Sequence, residues 1–461
     1  MKLSHVFTVI LLTFVVPVGT TLFANGAPNF VVILTDDQSW VGSSLQIDPN
    51  DPRTKSDYYR TPNIERMASM GTRFTQGYSP APYCCPTRRS LLIGQTPARH
   101  IYQKDQKQWT ANYRKQLSIP QMLKAANPDY RTAHFGKWDF RFDDVTPEAM
   151  GYDLSDGVTT NGTGGGKGSG GPSANEDPKL IWGITERSMD FMEEQSKAGH
   201  PFYLQVSHYA VHLDIFYREQ SLKEASGWKK GQKHSMPGFA AMTSDVDTGI
   251  GVLLEGIESL GLKETTYIFF LSDNGGRTGI PGQGDHRVER NDPLRDGKGT
   301  VYEGGIRVPF IVSGPGVAEG MVSSVPVTGL DIFPTVAHLA GYKQSLPEAL
   351  DGGNLTPVIH NGGKGRVKRN YPFLIFHQAV ARDAETSLIL GNYKLVKTWD
   401  NDRLELFDLS KDVGEANDLS KKNPKKAYEL HTHMVNFLNE VGAETRKVGS
   451  KAEVYENAKS E

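Results

Sequence analysis

The chain alternates between unbroken apolar stretches and amphipathic ones, and the two kinds predict different elements. Residues 29–35, Asn-Phe-Val-Val-Ile-Leu-Thr, run without polar alternation and are rich in β-branched side chains. That is the pattern of a strand buried on both faces of a parallel sheet. Residues 202–207, 267–272 and 310–313 are largely apolar in the same way, and residues 130–135 read as a further strand. Between these runs the apolar positions change period. Val246, Ile250, Leu253, Leu254 and Ile257 fall on one face of a helix, and Gly261 follows its end. Residues 331–340 read as another helix. Thr61-Pro62-Asn63-Ile64-Glu65 opens a further one, with Thr61 as cap, proline in the first turn and Glu65 near the positive end. Gly71 is placed to close it.

Strands that alternate with helices imply an α/β fold, a mostly parallel central sheet flanked by helices. Past about residue 371 the texture changes. Residues 373–377, 387–390, 393–397 and 404–407 are short, closely spaced strand-like runs, followed by a helix over 424–441 and a polar tail. They predict a smaller C-terminal α+β subdomain, an antiparallel sheet plus helix. The expected division is a main α/β domain over 28–370 and a subdomain over 371–461. The Gly- and Ser-rich stretch 157–172 reads as a mobile surface loop, because it lacks the spacing of a phosphate-binding loop.

The first residues are of another kind. Lys2 precedes the run Val9-Ile10-Leu11-Leu12, continued by Phe14-Val15-Val16, and small residues follow to Ala27. This predicts a signal peptide over 1–26 and a secreted or periplasmic protein. The run is short for a membrane anchor, and nothing later is long and apolar enough to span a bilayer, so no stable membrane insertion is expected. A net charge of −2 with 23% charged residues carries no basic excess for a nucleic-acid partner. The only two cysteines are adjacent, so the exported chain does not rest on a disulfide framework.

Candidate chemistry follows from the strands. In an open α/β sheet, ligands bind beyond the carboxyl ends of the strands. The residues found there are Asp36 and Asp37, Lys137, His212 a little downstream, and Asp273 with Asn274. Asp36, Asp37, Asp273 and Asn274 offer hard oxygen ligands, suited to Ca²⁺ or Mg²⁺ and not to zinc. Lys137, His212, Arg88 and Lys298 are cations or proton donors able to surround an oxyanion. In Cys84-Cys85-Pro86-Thr87-Arg88 the proline predicts a helix start, with Cys84 at its mouth and Arg88 one turn along the same face. A reactive side chain, a helix N-terminus and a guanidinium then converge on a point suited to sulfate or phosphate.

Cys-x-Pro-Thr-Arg, followed by a small residue, two leucines and a glycine, resembles the signature of the type I, formylglycine-dependent sulfatases of the alkaline-phosphatase-like superfamily. The likeness continues in order through Asp36-Asp37, Gly136-Lys137-Trp138, the strand leading to His212, Ser272-Asp273-Asn274-Gly275 and the segment 293–309, Pro-Leu-Arg-Asp-Gly-Lys-Gly-Thr-Val-Tyr-Glu-Gly-Gly-Ile-Arg-Val-Pro. It covers about residues 29–341 and is fainter near 391–395 and 405–409. The resemblance implies that Cys84 is oxidised to Cα-formylglycine, whose hydrate attacks sulfur. It implies one Ca²⁺ held by Asp36, Asp37, Asp273 and Asn274. Arg88 would hold the formylglycine, Lys137 and Lys298 would contact sulfate oxygens, and His212 would protonate the leaving alcohol. The implied reaction is sulfate ester hydrolysis on a sulfated oligo- or polysaccharide. The implied partner is a formylglycine-generating or anaerobic sulfatase-maturating enzyme.

The chain departs from the pattern in two places. The family commonly reads Lys-Trp-His where this sequence has Lys137-Trp138-Asp139. Asp139 then either serves as the missing base or pairs with Lys137, and His208 or His134 are the other groups that could enter the site. Asp296 stands where many relatives have glycine. Expected sugar contacts are His286, Arg287, His377 and Arg382, with Trp40 as a weaker candidate. Two other readings stay open: a phosphate or phosphonate ester hydrolase of the same superfamily, and a catalytically inactive protein that binds sulfated glycans.

Overall fold

A computed structural model describes residues 26–100, 106–140, 145–164, 177–282, 288–379 and 384–444. The main domain contains ten strands. They are β1 (Asn29–Thr35), β2 (Gly71–Phe74), β3 (Gly77–Tyr78), β4 (Arg131–Gly136), β5 (Leu154–Ser155), β6 (Phe202–Ser207), β7 (Thr266–Ser272), β8 (Phe310–Ser313), β9 (Met321–Ser323) and β10 (Val327–Thr328). Eight of them form one sheet in the order β5-β4-β6-β1-β7-β8-β2-β9, while β3 and β10 pair separately. The β4-β6-β1-β7 centre is parallel, and β8 runs antiparallel to both β7 and β2.

Strand β1 shows why the run at 29–35 has no polar alternation. Every residue in it is buried. Phe30, Val32 and Leu34 face one core, shared with Leu91, Leu92 and Phe269. Val31 and Ile33 face the other, against Ile250, Leu253 and Leu254 of the helix Pro237–Ser259. Alternate side chains of a strand point to opposite faces, so helices on both sides demand apolar residues at every position.

The predicted strands at 29–35, 202–207 and 310–313 agree with the structure, and those at 130–135 and 267–272 differ by one residue at an end. The helix Pro62–Ser69 follows Thr61, but Thr61 does not cap it. Its hydroxyl accepts from the Ser44 N–H at 2.9 Å. The first helical N–H groups are taken by Asp247, which accepts from Asn63 and Ile64 at 3.1 and 2.8 Å. Gly71 does not close this helix; it opens β2, where a Cβ would stand 2.2 Å from the Val312 carbonyl oxygen. The helices Ile119–Ala126, Ile181–Ala198 and Glu219–Ser226 had no clear signal in the sequence pattern.

The C-terminal sheet is β11 (Leu374–Gln378), β12 (Glu385–Leu390), β13 (Tyr393–Thr398) and β14 (Arg403–Asp408), antiparallel in chain order. The helix Pro424–Glu440 packs Leu430, Met434 and Phe437 against Leu388 and Leu395. Among the described residues, no helix is long and apolar enough to cross a membrane. The signal peptide expected at the N-terminus lies outside the described residues, apart from Gly26, and so does half of the Gly- and Ser-rich loop.

Candidate active site

Four adjacent strands deliver their following residues to one point. Leaving β1, Asp36 donates its N–H to the Ala210 carbonyl at 2.9 Å, and Asp37 turns into the left-handed region with φ 59°. Leaving β7, Asp273 accepts the Asp37 N–H at 3.2 Å on its Oδ1. At the end of β4, Gly136 has φ 96° and a Cβ there would stand 2.0 Å from the Ser207 carbonyl oxygen. Only glycine permits that approach, and it swings Lys137 inward. The turn that follows is clasped by Thr159. Its hydroxyl donates to the Gly136 carbonyl at 2.6 Å and accepts from Trp138 N–H at 2.8 Å, while its carbonyl accepts from Asp139 N–H at 2.8 Å. The start of the stretch expected to be a mobile loop therefore fixes the backbone of Lys137 to Asp139.

The helix Cys84–Ile93 brings the fifth component, with Cys84 as its first residue. Arg88, one turn on, is 1% exposed. Its guanidinium donates to Asp273 Oδ2 from Nε and Nη2 at 3.0 and 2.7 Å, and to the Lys137 carbonyl at 2.6 Å. Lys137 Nζ lies 2.5 Å from Asp36 Oδ2, and Lys298 pairs with Asp37 Oδ1. Burial opposes ionisation of both lysines, but Asp36 and Asp37 hold them well above the ordinary lysine value.

The cluster still has oxygens to spare. Asp36 Oδ1, Asp37 Oδ2 and Asn274 Oδ1 are buried with no hydrogen-bond partner. Asn274 uses its nitrogen on Asp37 Oδ1 at 2.8 Å, which leaves its carbonyl oxygen turned elsewhere. Burial and the charge of Asp36 push Asp273 up to about 7 despite Arg88. Orphaned buried oxygens are unfavourable unless a ligand completes them. Ligand atoms of Asp36, Cys84 and Asp273 lie within 4.8 Å of one another, as do those of Asp36, Asp37 and His212. The donor set is mainly carboxylate and amide oxygen, which fits a hard divalent cation.

Cys84 is 4% exposed, and its Sγ donates to Asp139 Oδ2 at 3.1 Å. Asp139 also lies 3.5 Å from Lys137 Nζ, so it both pairs with the lysine and touches the reactive position. It holds φ 50°, a strained conformation for a non-glycine residue and one that clusters at functional sites. Burial pushes the Cys84 thiol up to about 12 against the pull of Lys137 and Lys298. An unmodified thiol here is neutral at pH 7 and a poor nucleophile. Cys85 is also a free thiol and is buried.

His212 sits at the mouth with its side chain 17% exposed, its Nε2 3.8 Å from Asp37 Oδ2 and its Nδ1 donating to the Leu213 carbonyl. Burial lowers its pKa below 6.5. Neither His134 nor His208 hydrogen-bonds to Cys84 among the described residues. His134 pairs with Ser207 Oγ at 3.1 Å and packs edge-on against Trp138. His208 is buried with both ring nitrogens unpartnered among the described residues.

His377 departs from expectation. It is buried in β11, with Nδ1 to Thr386 Oγ1 at 2.7 Å and Nε2 donating to the Glu444 carbonyl at 2.8 Å. Both nitrogens are thus used inside the subdomain. Trp40 is 3% exposed with the Arg307 guanidinium 5.3 Å from its ring centre, a packing position. His286, Arg287 and Arg382 lie outside the described residues. One residue near the site had no signal in the sequence: Lys179, a lysine before an apolar helix, is 3% exposed and interacts electrostatically with Asp36, Asp37 and Lys137.

The comparisons agree with this geometry. The sulfatase family profile matches residues 28–342, and the C-terminal profile of N-sulphoglucosamine sulphohydrolase matches residues 296–444. The chain belongs to the sulfatase family, and it is a sulfuric ester hydrolase. A sulfatase of Formosa agariphila is 27% identical over 90% of this chain and 88% of its own. Human arylsulfatase A is 30% identical over 73% of this chain and 68% of its own. Among solved structures, Ps i-CgsB in complex with k-i-k-neocarrahexaose superposes with a TM-score of 0.73, at 22% identity, covering 94% of this chain and 96% of that one.

Proposed function

We propose that this enzyme removes sulfate from a sulfated carbohydrate, with Cys84 as the precursor of its nucleophile. The observation that carries the reading is the juxtaposition at Cys84. A buried residue at a helix mouth faces one carboxylate at 3.1 Å and lies within 4.8 Å of metal-type oxygens whose neighbours have no partner. Relatives named as N-acetylgalactosamine-6-sulfatase and ulvan-active sulfatase, and a neighbour bound to a neocarrahexaose, support a carbohydrate substrate.

Asp36, Asp37, Asp273 and Asn274 would hold a calcium ion, which supplies Lewis-acid polarisation of sulfate oxygens. Conversion of Cys84 to formylglycine supplies a hydrated aldehyde, and with it a hydroxyl in place of a thiol too weakly acidic to act. The rest is the work of this chain. Asp139 Oδ2, already 3.1 Å from the Cys84 side-chain atom, takes up the proton of the hydroxyl at that position. Lys137, 3.5 Å away, offsets the charge of the Asp139 carboxylate beside an anionic substrate. Arg88 stays locked on Asp273 and fixes the helix mouth. Lys137 and Lys298 turn part of their charge from Asp36 and Asp37 to the sulfate oxygens, where charge accumulates during S–O cleavage. His212, at the rim with Nδ1–H on the Leu213 carbonyl, acts as the imidazolium that the nearby Asp36 and Asp37 favour, and gives the Nε2 proton to the leaving alcohol.

Export by the N-terminal segment, and maturation by a formylglycine-generating or anaerobic sulfatase-maturating enzyme, belong to the same reading. Mass spectrometry of the Cys84 peptide from the native host tests it. An aldehyde in place of the thiol is expected, and an intact cysteine there would sink it. Turnover of the sulfate and phosphate esters of one phenol, followed by a panel of sulfated monosaccharides, then fixes the ester and the sugar.

A further inference from the structure

Three buried lysines interact electrostatically with this cluster, and two of them pair with its carboxylates. Lys137 is paired with Asp36 and Lys298 with Asp37. Lys179 is as deeply buried, at 3% exposure, and among the described residues no carboxylate pairs with it. Its ammonium instead stands 5.2 Å from the ring centre of Phe216, four residues past His212. The carboxylate nearest in sequence is engaged elsewhere. Asp177 caps the helix Ile181–Ala198, accepting from Trp182 and Gly183 at 3.0 and 2.8 Å.

The backbone holds this arrangement at a cost. Lys179 and Leu180 are both left-handed, with φ 62° and 53°. Two successive non-glycine residues in that region are unfavourable and persist only where the surroundings impose them. The electrostatic contrast points the same way. Asp36, Asp214 and Asp37 attract Lys179 and Lys137 repels it, yet burial outweighs them and pushes it down to about 8. Lys137 and Lys298 are held above the ordinary value. A buried cation without a close counter-ion is tolerated where a ligand supplies one.

The scissile sulfate already has Lys137 and Lys298, so a third cation at a distance from them answers a different charge. We propose that Lys179, backed by Phe216, forms a subsite for a second anionic substituent of the substrate, a further sulfate or a carboxylate near the sulfate being cleaved. This rests on the reading of the substrate as a sulfated sugar.

The test uses the matured full chain and competitive inhibition of para-nitrophenyl sulfate turnover. The inhibitors are monosulfated monosaccharides, each compared with its disulfated and its sulfated uronic-acid counterpart. In the native enzyme the doubly anionic member is expected to bind roughly ten- to hundredfold more tightly. Lys179→Met brings that ratio close to one, and Lys179→Arg keeps most of it. Whether the disulfate or the uronate is preferred identifies the second anion. A ratio near one in the native enzyme overturns the proposal, and so does an unchanged ratio in Lys179→Met. Equal losses for singly and doubly charged inhibitors also overturn it, since they place Lys179 on the scissile sulfate. Thermal melting of each variant separates these outcomes from unfolding, and the native ratio stands if Lys179→Met does not fold. Failure of every sugar to inhibit, with para-nitrophenyl sulfate still turned over, refutes the sugar reading itself and is distinct from a lost ratio.

Discussion

Two buried clusters of charge lie in this molecule, and they differ in whether they are closed. One joins the main domain to the C-terminal sheet. Lys394 Nζ stands 2.8 Å from both Glu303 Oε1 and Glu415 Oε1, Arg307 pairs with Glu303 Oε2, and the Glu303 N–H donates to Glu415 at 2.7 Å. Two carboxylates meet two cations, and the one oxygen there without a hydrogen bond, Glu415 Oε1, still faces the Lys394 ammonium at 2.8 Å. The other cluster is the active site, where Asp36, Asp37, Asp139 and Asp273 meet Arg88, Lys137 and Lys298. There, among the described residues, three oxygens are left over and one further lysine has no carboxylate. A closed cluster specifies how two parts dock. An open one keeps unsatisfied groups in place for a ligand, at the expense of stability.

That difference can be broken by removing one charge from each. Asp139→Asn in the open cluster is expected to lower kcat by roughly 10²–10⁴-fold, the usual range for a lost general base. Its denaturation midpoint should stay level or rise, because a like charge is removed from a carboxylate-rich site. Steady-state kinetics and a urea titration on the same preparation check both halves. Lys394→Met in the closed cluster should do the reverse. It strands Glu415 in the interior and destabilises the fold by about 3–5 kcal/mol, with kcat of the folded fraction little changed.

Acid sharpens the comparison from another side. Burial pushes His377 down to about 4 from 6.5. Above pH 6.5 both folded and unfolded chains hold it neutral, and it adds no slope. Below 6.5 only the unfolded chain binds its proton, so stability falls as pH falls, until about pH 4. His377→Gln should flatten the decline of folding free energy by up to about 1.4 kcal/mol per pH unit, measured by chemical denaturation between pH 7 and 5. An unchanged slope would mean that the ring is accessible to protons in the fold. The smallest effect is at Asp296, which holds φ 56° beside the Lys298 loop. Asp296→Gly, the residue common at that position in the family, should stabilise by about 0.5–1 kcal/mol. A higher melting temperature with unchanged KM is the expected result.

Much of the main sheet was legible because burial on both faces leaves an unmistakable pattern. The run at 29–35 could be nothing but a central strand, and its end had to carry site residues. Cys84, Arg88, Lys137, His212 and Lys298 were found from their motifs and positions after strands, and the structure brings them together with Asp36, Asp37, Asp273 and Asn274. The shortest strands were less legible. Strand β2 is four residues long and opens on a glycine that looked like a helix stop. His377 looked like a sugar contact because sequence shows a histidine near a strand end and not the Thr386 hydroxyl beside it.

By itself the sequence determined the α/β class and the family, and it picked out Cys84 and the acidic oxygens as candidates. These rest on local patterns: a period of burial, a proline at a helix start, residues that follow strands. Only the tertiary structure decided what each charge is paired with. Asp139, equally readable as a base or as the partner of Lys137, proves to touch both Cys84 and the lysine. Lys179, silent in the sequence, proves to be buried with no carboxylate paired to it among the described residues. The physical reason is that pairing of buried charges depends on distances between residues far apart in the chain, and no local period encodes those distances.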